Sequence, residues 1–141
     1  MSSAWALIED EGEILFIRRA FMVGRGGQWC PPGGTIWKSE WPEVACVREA
    51  YEETGLRVTI VRPIAIFDTA HYYLCHLNRT REQLKLTKRE CIDARWIAPE
   101  DLLQIGTIMD LRRIIPLLEI SGLGSPALPQ GLEPAVPKKL F

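Results

Sequence analysis

The sequence predicts an α/β domain, with helices packed on a mixed β-sheet, and three observations carry that prediction. Between Pro42 and Gly55 the residues alternate charged and apolar types at helical spacing. Short segments rich in β-branched and aromatic residues lie on both sides of this stretch. At 141 residues, 47% of them hydrophobic, the chain suits a single core.

Taken in order, WALIEDEGEILFIRR (residues 5–19) holds two apolar runs around an acidic turn with Gly12, the pattern of an antiparallel hairpin. Residues 20–36 carry five glycines and two prolines and are expected to form a long loop. The central helix follows, with Pro42 suited to its first turn and Gly55 to the position past its end. RVTIV, IAIF, HYYLCHL and ECIDARWI read as strands, and PEDLLQI and MDLRRIIPLLEI as helices, the second limited by Pro116. Residues 1–120 are thus expected to form the domain. Residues 121–141, with four prolines and three glycines, are expected to form an extended tail.

Charge and cysteine usage exclude several function classes. Seventeen basic against 18 acidic residues give a net charge of -1, which supplies no overall field toward nucleic acid or an anionic membrane. Cys30, Cys46, Cys75 and Cys91 form no C-x-x-C pair and read as free thiols of a reducing compartment. MSSAWALIEDEGE lacks the basic and apolar regions of a signal peptide, and no apolar run approaches the roughly 20 residues of a membrane span. The expectation is a soluble, cytoplasmic protein.

The central helix carries the chemistry. At about 100° per residue, Glu49, Glu52 and Glu53 fall in one sector, while Val44, Val47 and Tyr51 cluster near the opposite side. Like charges four residues apart weaken an isolated helix slightly, and a hard divalent cation turns that cost into a binding site. Glycines just upstream allow backbone to approach a phosphate that such carboxylates hold through the cation.

Residues 34–56 fit the pattern G-x5-E-x7-R-E-U-x-E-E-x-G-U, with U bulky and apolar, through Gly34, Glu40, Arg48, Glu49, Ala50, Glu52, Glu53, Gly55 and Leu56. Only Ala50 is smaller than the pattern prefers, and average residue usage gives a chance match on the order of one in ten million. Trp29, Pro32 and Gly33 complete a W-x-x-P-G-G lead-in. In these residues the chain resembles the Nudix hydrolases, and with RWIAPEDL the resemblance covers most of residues 4–120.

The resemblance implies an α/β/α sandwich with a mixed sheet, and hydrolysis of a nucleoside diphosphate linked to another group, with Mg2+ or Mn2+ as cofactor. It implies that Glu52 and Glu53 bind metal, that Glu49 is a ligand or the general base, and that the Gly33 carbonyl completes the coordination. Arg48 is expected to orient a glutamate, paired with Glu40. Glu90 or Asp93 is a candidate for the acid that some members supply from a later loop. Arg19, or its neighbour Arg18, at the end of the second strand, is a candidate to reach a phosphate, and Gly33 and Gly34 are candidates for backbone contact with it.

For the substrate, the short chain favours a nucleoside triphosphate or an oxidised nucleotide. Tyr72, with Tyr73 beside it, sits where dinucleoside polyphosphate hydrolases often carry a tyrosine, although it also suits sheet packing. The basic run at residues 79–89, opposed only by Glu82, suits an RNA 5′ end or a solvated loop. A non-catalytic nucleotide sensor is the alternative of another class, though no carboxylate of the pattern is missing. Trp37, Trp41 and the tail are compatible with a homodimer.

Overall fold

The computed structural model describes residues 1–81 and 84–141. The acidic hairpin forms as read: β1 (Ser3–Asp10) and β2 (Glu13–Arg19) pair antiparallel. The glycine-rich stretch is not all loop, because β3 (Trp29–Cys30) pairs with β2 and β4 (Gly33–Thr35) pairs with β1. Neighbouring strands supply the hydrogen-bond partners that glycines and prolines lack by propensity, so tertiary pairing wins here. Helix α1 (Pro42–Thr54) follows, then β5 (Val58–Phe67), β6 (Ala70–Leu77) and β7 (Cys91–Ile97). PEDLLQ forms a single 3-10 helix, Pro99–Gln104, before α2 (Leu111–Ile120) and β8 (Lys139–Leu140).

The strand order is β3-β2-β1-β6-β5-β8, with β4 added beside β1 and β7 beside β2. β1 and β6 run parallel while their other neighbours run antiparallel, so the sheet is mixed. RVTIV and IAIF are one strand, β5, which shifts register on both sides of Pro63. Bulges there accommodate a residue with no N–H.

Alternation along β1 and β6 builds the two faces. Leu7 and Tyr72 join Ile114, Leu117 and Leu118 of α2 in one core cluster. Ala4, Ala6, Ile8, Tyr73 and Cys75 join Ala45, Cys46 and Ala50 of α1 in another. The result is the expected α/β/α sandwich.

The apolar stripe read from the sequence meets the core only through Val47, at its margin. Val44 and Tyr51 are 54% and 46% exposed, and α1 packs through Ala45, Cys46 and Ala50. Ala4 and Ala6 beneath leave room only for a close approach, so small residues were the packing signal. At its start, Trp41 provides no side-chain cap, and Pro42 removes one donor that needed a partner. At its end, Gly55 takes the left-handed conformation (φ 76°). Thr87 and Lys85 then bond the final carbonyls, the Thr87 hydroxyl donating to Glu52 O at 2.6 Å and Lys85 N–H to Thr54 O at 2.9 Å.

Pro116 does not limit α2, which runs through it to Ile120. A proline at this position leaves the carbonyl of Arg112 without its helical donor. The tail supplies one, since Ala135 N–H bonds Arg112 O at 2.8 Å, and Arg112 Nε donates in return to Glu133 O at 2.6 Å. The extended tail therefore lies on the domain, with Leu123 and Ala135 packed against the core and β8 paired with Ala65 and Ile66 of β5. No helix among the described residues is long and apolar enough to cross a membrane.

Removing residues 134–141 orphans Arg112 O and is expected to lower stability in urea by about 1–3 kcal/mol. The loss should shrink in a Pro116→Ala background, where the helix regains its own donor. Equal losses in both backgrounds would refute the tie between Pro116 and the tail.

Candidate active site

The close packing of α1 on β1 and β4 sets the site. Angularly, Glu49 and Glu53 lie on the same side of α1 as Ala45, Cys46 and Ala50, so the carboxylate face borders the packed face. A Cβ on Gly33 would lie 2.4 Å from Ala4 O and from the Trp5 ring, and one on Gly34 would lie 2.8 Å from the Glu49 carboxyl. A side chain at Gly33 would run into the neighbouring strand, and one at Gly34 would displace the Glu49 carboxyl.

Glu53 is 5% exposed. Its Oε1 accepts the Gly33 N–H at 2.8 Å, and its Oε2 accepts the Cys91 thiol at 3.4 Å. Burial pushes its pKa up to about 8, opposed by those two donors and helped by the charges of Glu49 and Glu90. Glu49 is also raised, first by burial and against the pull of Arg48.

Arg48 is the hub of the outer rim. Its Nε and Nη2 bond the two oxygens of Glu40 at 2.7 and 2.9 Å. Nη1 bonds Glu49 Oε1 and Glu52 Oε2, both at 3.1 Å, and Nη2 also reaches Thr35 O at 3.0 Å. All five guanidinium N–H groups are thereby used. The Trp37 ring lies 3.5 Å beneath the guanidinium, so this indole is engaged within the chain, while Trp41 is 74% exposed. The Arg48 bond holds the Glu40 carboxyl below its usual range.

A cleft of about 360 Å³ opens above this floor. Glu49, Glu53 and Glu90 line it together with the backbone of Gly33 and Gly34, and Arg19 stands on the wall. The structure thus brings six of the sequence-derived residues to one place. Arg48 and Glu52 lie behind them, joined to Glu49 through the guanidinium.

Other expectations are placed elsewhere. Tyr72, expected to touch substrate, is 2% exposed and stacked behind Trp5, with centroids 6.4 Å apart and planes at 21°. Its strand alternation sends it into the α2 core instead of the cleft. Asp93 pairs with Arg95 at 3.8 Å and is absent from the cleft wall. In the basic run, Arg81 is bound to Asp10 at 2.7 Å and to Glu13 at 2.8 Å, and it lies over Trp96. Glu82 lies outside the described residues. Sequence reasoning missed Ser3, Trp5 and Val23 on the cleft wall and Cys91 against Glu53. Of these only Trp5 left a trace, as an aromatic in an alternating strand.

Among the described residues no three acidic, histidine or cysteine side chains converge ready to hold an ion. Glu49 and Glu52 are drawn to Arg48, and Glu53 to Gly33 and Cys91. The donor chemistry nonetheless fits a hard cation. Carboxylates are its preferred ligands, and a buried acid that retains its proton toward pH 8 is a position where positive charge is favoured.

A family model described as NUDIX domain matches residues 1–118. A MutT-like protein of Streptomyces ambofaciens is 26% identical over 125 residues, covering 86% of this chain and 79% of that protein. The CTP pyrophosphohydrolase of Escherichia coli (strain K12) is 28% identical over 105 residues, covering 70% and 76%. A C. elegans Ap4A hydrolase binary complex superposes with a TM-score of 0.72 at 22% identity, over 86% of this chain and 96% of that one, which is a likeness of fold.

The raised Glu53 pKa makes metal-free stability depend on pH. Its folded value lies above the ordinary 4.5, so the contribution is full below that pH and is lost as pH rises toward about 8. In chelator, the melting temperature of the wild type relative to Glu53→Gln is therefore expected to fall across this window. Parallel curves for the two proteins would contradict the assignment.

Proposed function

Because the chain belongs to the Nudix family, we propose that it hydrolyses a nucleoside triphosphate or an oxidised nucleotide, with a divalent cation held by Glu49, Glu52 and Glu53. Its activity at the coarser level, hydrolysis of a pyrophosphate bond in a nucleotide-linked compound, follows from the family and its relatives. The finer reading is carried by one juxtaposition: buried carboxylates face Arg19 across a cleft whose floor is the Gly33–Gly34 backbone. The relative that acts on CTP supports a triphosphate.

In this reading Arg19 neutralises phosphate oxygens, and the absence of side chains at Gly33 and Gly34 lets the phosphates come close to the backbone. The Gly33 carbonyl is a further donor for the cation. A bound Mg2+ or Mn2+ supplies positive charge where negative charge develops on the leaving phosphate. Glu49, a carboxylate on the cleft wall beside the Gly33–Gly34 backbone, is the candidate to receive the proton of the attacking water. Arg48 keeps Glu49 and Glu52 oriented, and Glu40 keeps Arg48 in place. Glu90 adds negative charge at the rim, strengthening the site for a cation.

Trp5 offers the apolar wall for the nucleoside, with Tyr72 as its backing. In that arrangement Tyr72 backs the wall from the core side, so this residue lends no support to a dinucleoside polyphosphate. Arg81, committed to Asp10 and Glu13, likewise gives no support to an RNA 5′ end.

A product screen with Mg2+ and Mn2+, over nucleoside triphosphates, oxidised nucleotides, dinucleoside polyphosphates, nucleotide sugars and capped RNA, tests the reading by mass spectrometry. Cleavage is expected to be strongest for a triphosphate, to vanish with chelator, and to fall by about 10²-fold or more in Glu53→Gln. Full metal-dependent turnover in that variant would place the site elsewhere. Trp5→Ala is expected to raise KM more than it lowers kcat, and the reverse split would remove Trp5 from the nucleoside wall.

A further inference from the structure

Helix α1 turns outward Val44 and Tyr51 of the apolar stripe that its sequence displays. Val44 and Tyr51 are 54% and 46% exposed and Trp41 is 74% exposed, with Val47 half-buried between them. Alongside runs a shallow, mainly apolar groove of about 550 Å³ between α1 and β5, lined by Val44, Val47, Val58 and Ile60 with Thr59, and bordered by Glu43 and Arg48. Singly exposed apolar residues are ordinary, but a stripe that repeats over two helical turns beside an apolar groove marks a contact surface.

The charges at its ends select the occupant. Glu43 stands exposed at the N-terminal end of the stripe. At the other end the exposed Arg57 lays its guanidinium over the Tyr51 ring, 4.5 Å from the centroid. Positive charge therefore sits at the level of residue 51, roughly 12 Å along the axis from Glu43 at 1.5 Å per residue. The midpoint between the two levels is Val47. A two-fold axis passing by Val47 would set two copies of α1 antiparallel, with Glu43 of each facing Arg57 of the other. The same axis brings Val47 to its own symmetry mate and Val44 toward Tyr51 of the other copy. A surface carrying one sign at each end and an apolar centre is complementary to itself under that operation.

We propose that the outer face of α1 is an isologous interface with a second copy of this chain, centred on Val47. The β5 edge is a poorer route to the same end. Its bulges around Pro63 and the strand β8 interrupt the run of backbone groups that a continuous sheet would need. The interface leaves the catalytic carboxylates free, because Glu49 and Glu53 lie on the opposite side of α1 and open into the cleft.

Analytical ultracentrifugation of the full chain tests this. A dimer is expected at concentrations on the order of 100 μM, and Val47→Asp should leave only monomer. Glu43→Arg and Arg57→Glu, each removing two symmetry-related pairs, should weaken the dimer by about tenfold or more, and the two combined should restore it. Circular dichroism and a melting curve of each variant check that the fold is kept, above all for Val47→Asp, since Val47 is half-buried against the α1 cluster. A wild-type monomer at that concentration would overturn the proposal, as would a dimer indifferent to Val47→Asp or a double reversal that fails to recover. Hydrolysis measured on the same samples reports on the active-site reading separately.

Discussion

The contact on which the rest of the molecule depends is the close approach of α1 to β1 and β4. Ala4 and Ala6 on one side and Ala45, Cys46 and Ala50 on the other allow it, and Gly33 and Gly34 extend it to the rim. At this separation Glu53 is nearly buried at the floor of the cleft and is satisfied by the Gly33 N–H and the Cys91 thiol. The same contact turns Val44 and Tyr51 away from the core and leaves Val47 at its margin. Burial of the acid, the shape of the cleft and the apolar outer face are three results of one packing decision.

Electrostatics then divides the acidic residues into two groups. Glu40 is held ionised by Arg48, whereas Glu49 and Glu53 are pushed toward their neutral forms by burial. A guanidinium with every N–H engaged is a rigid connector, so it orients Glu49 and Glu52 from behind the cleft. An unfavourable charge density maintained by good packing elsewhere is the usual condition of a functional site.

Much of this was legible in the sequence, for identifiable reasons. The hairpin, the central helix and the cluster of Glu49, Glu52, Glu53 and Arg48 rest on local spacing, which a sequence displays directly. The role of Glu40 beside Arg48 was also legible, through the resemblance. What was misread depends on long-range partners. The packed face of α1 consists of alanine and cysteine, whose small size is visible only against Ala4 and Ala6. Tyr72 and Tyr73 differ in fate by one residue of strand register, and the chain position of Tyr72 does not reveal which face it takes. Helix α2 passes Pro116 because a donor arrives from the tail, and the short strands at Trp29–Cys30 and Gly33–Thr35 exist only through their neighbours.

The strap formed by residues 134–141 has a consequence for biosynthesis. The carbonyl of Arg112, and the outer edge of β5 at Ala65 and Ile66, acquire their partners only from residues made later in the chain. While the chain emerges from the ribosome, that flank of the sheet has nothing to pair with except other nascent or unfolded chains. Contacts between distant parts of a chain also form slowly, which prolongs the exposure. The bulged, proline-bearing β5 is poorly suited to strand addition by strangers, and it protects the unfinished domain during this interval.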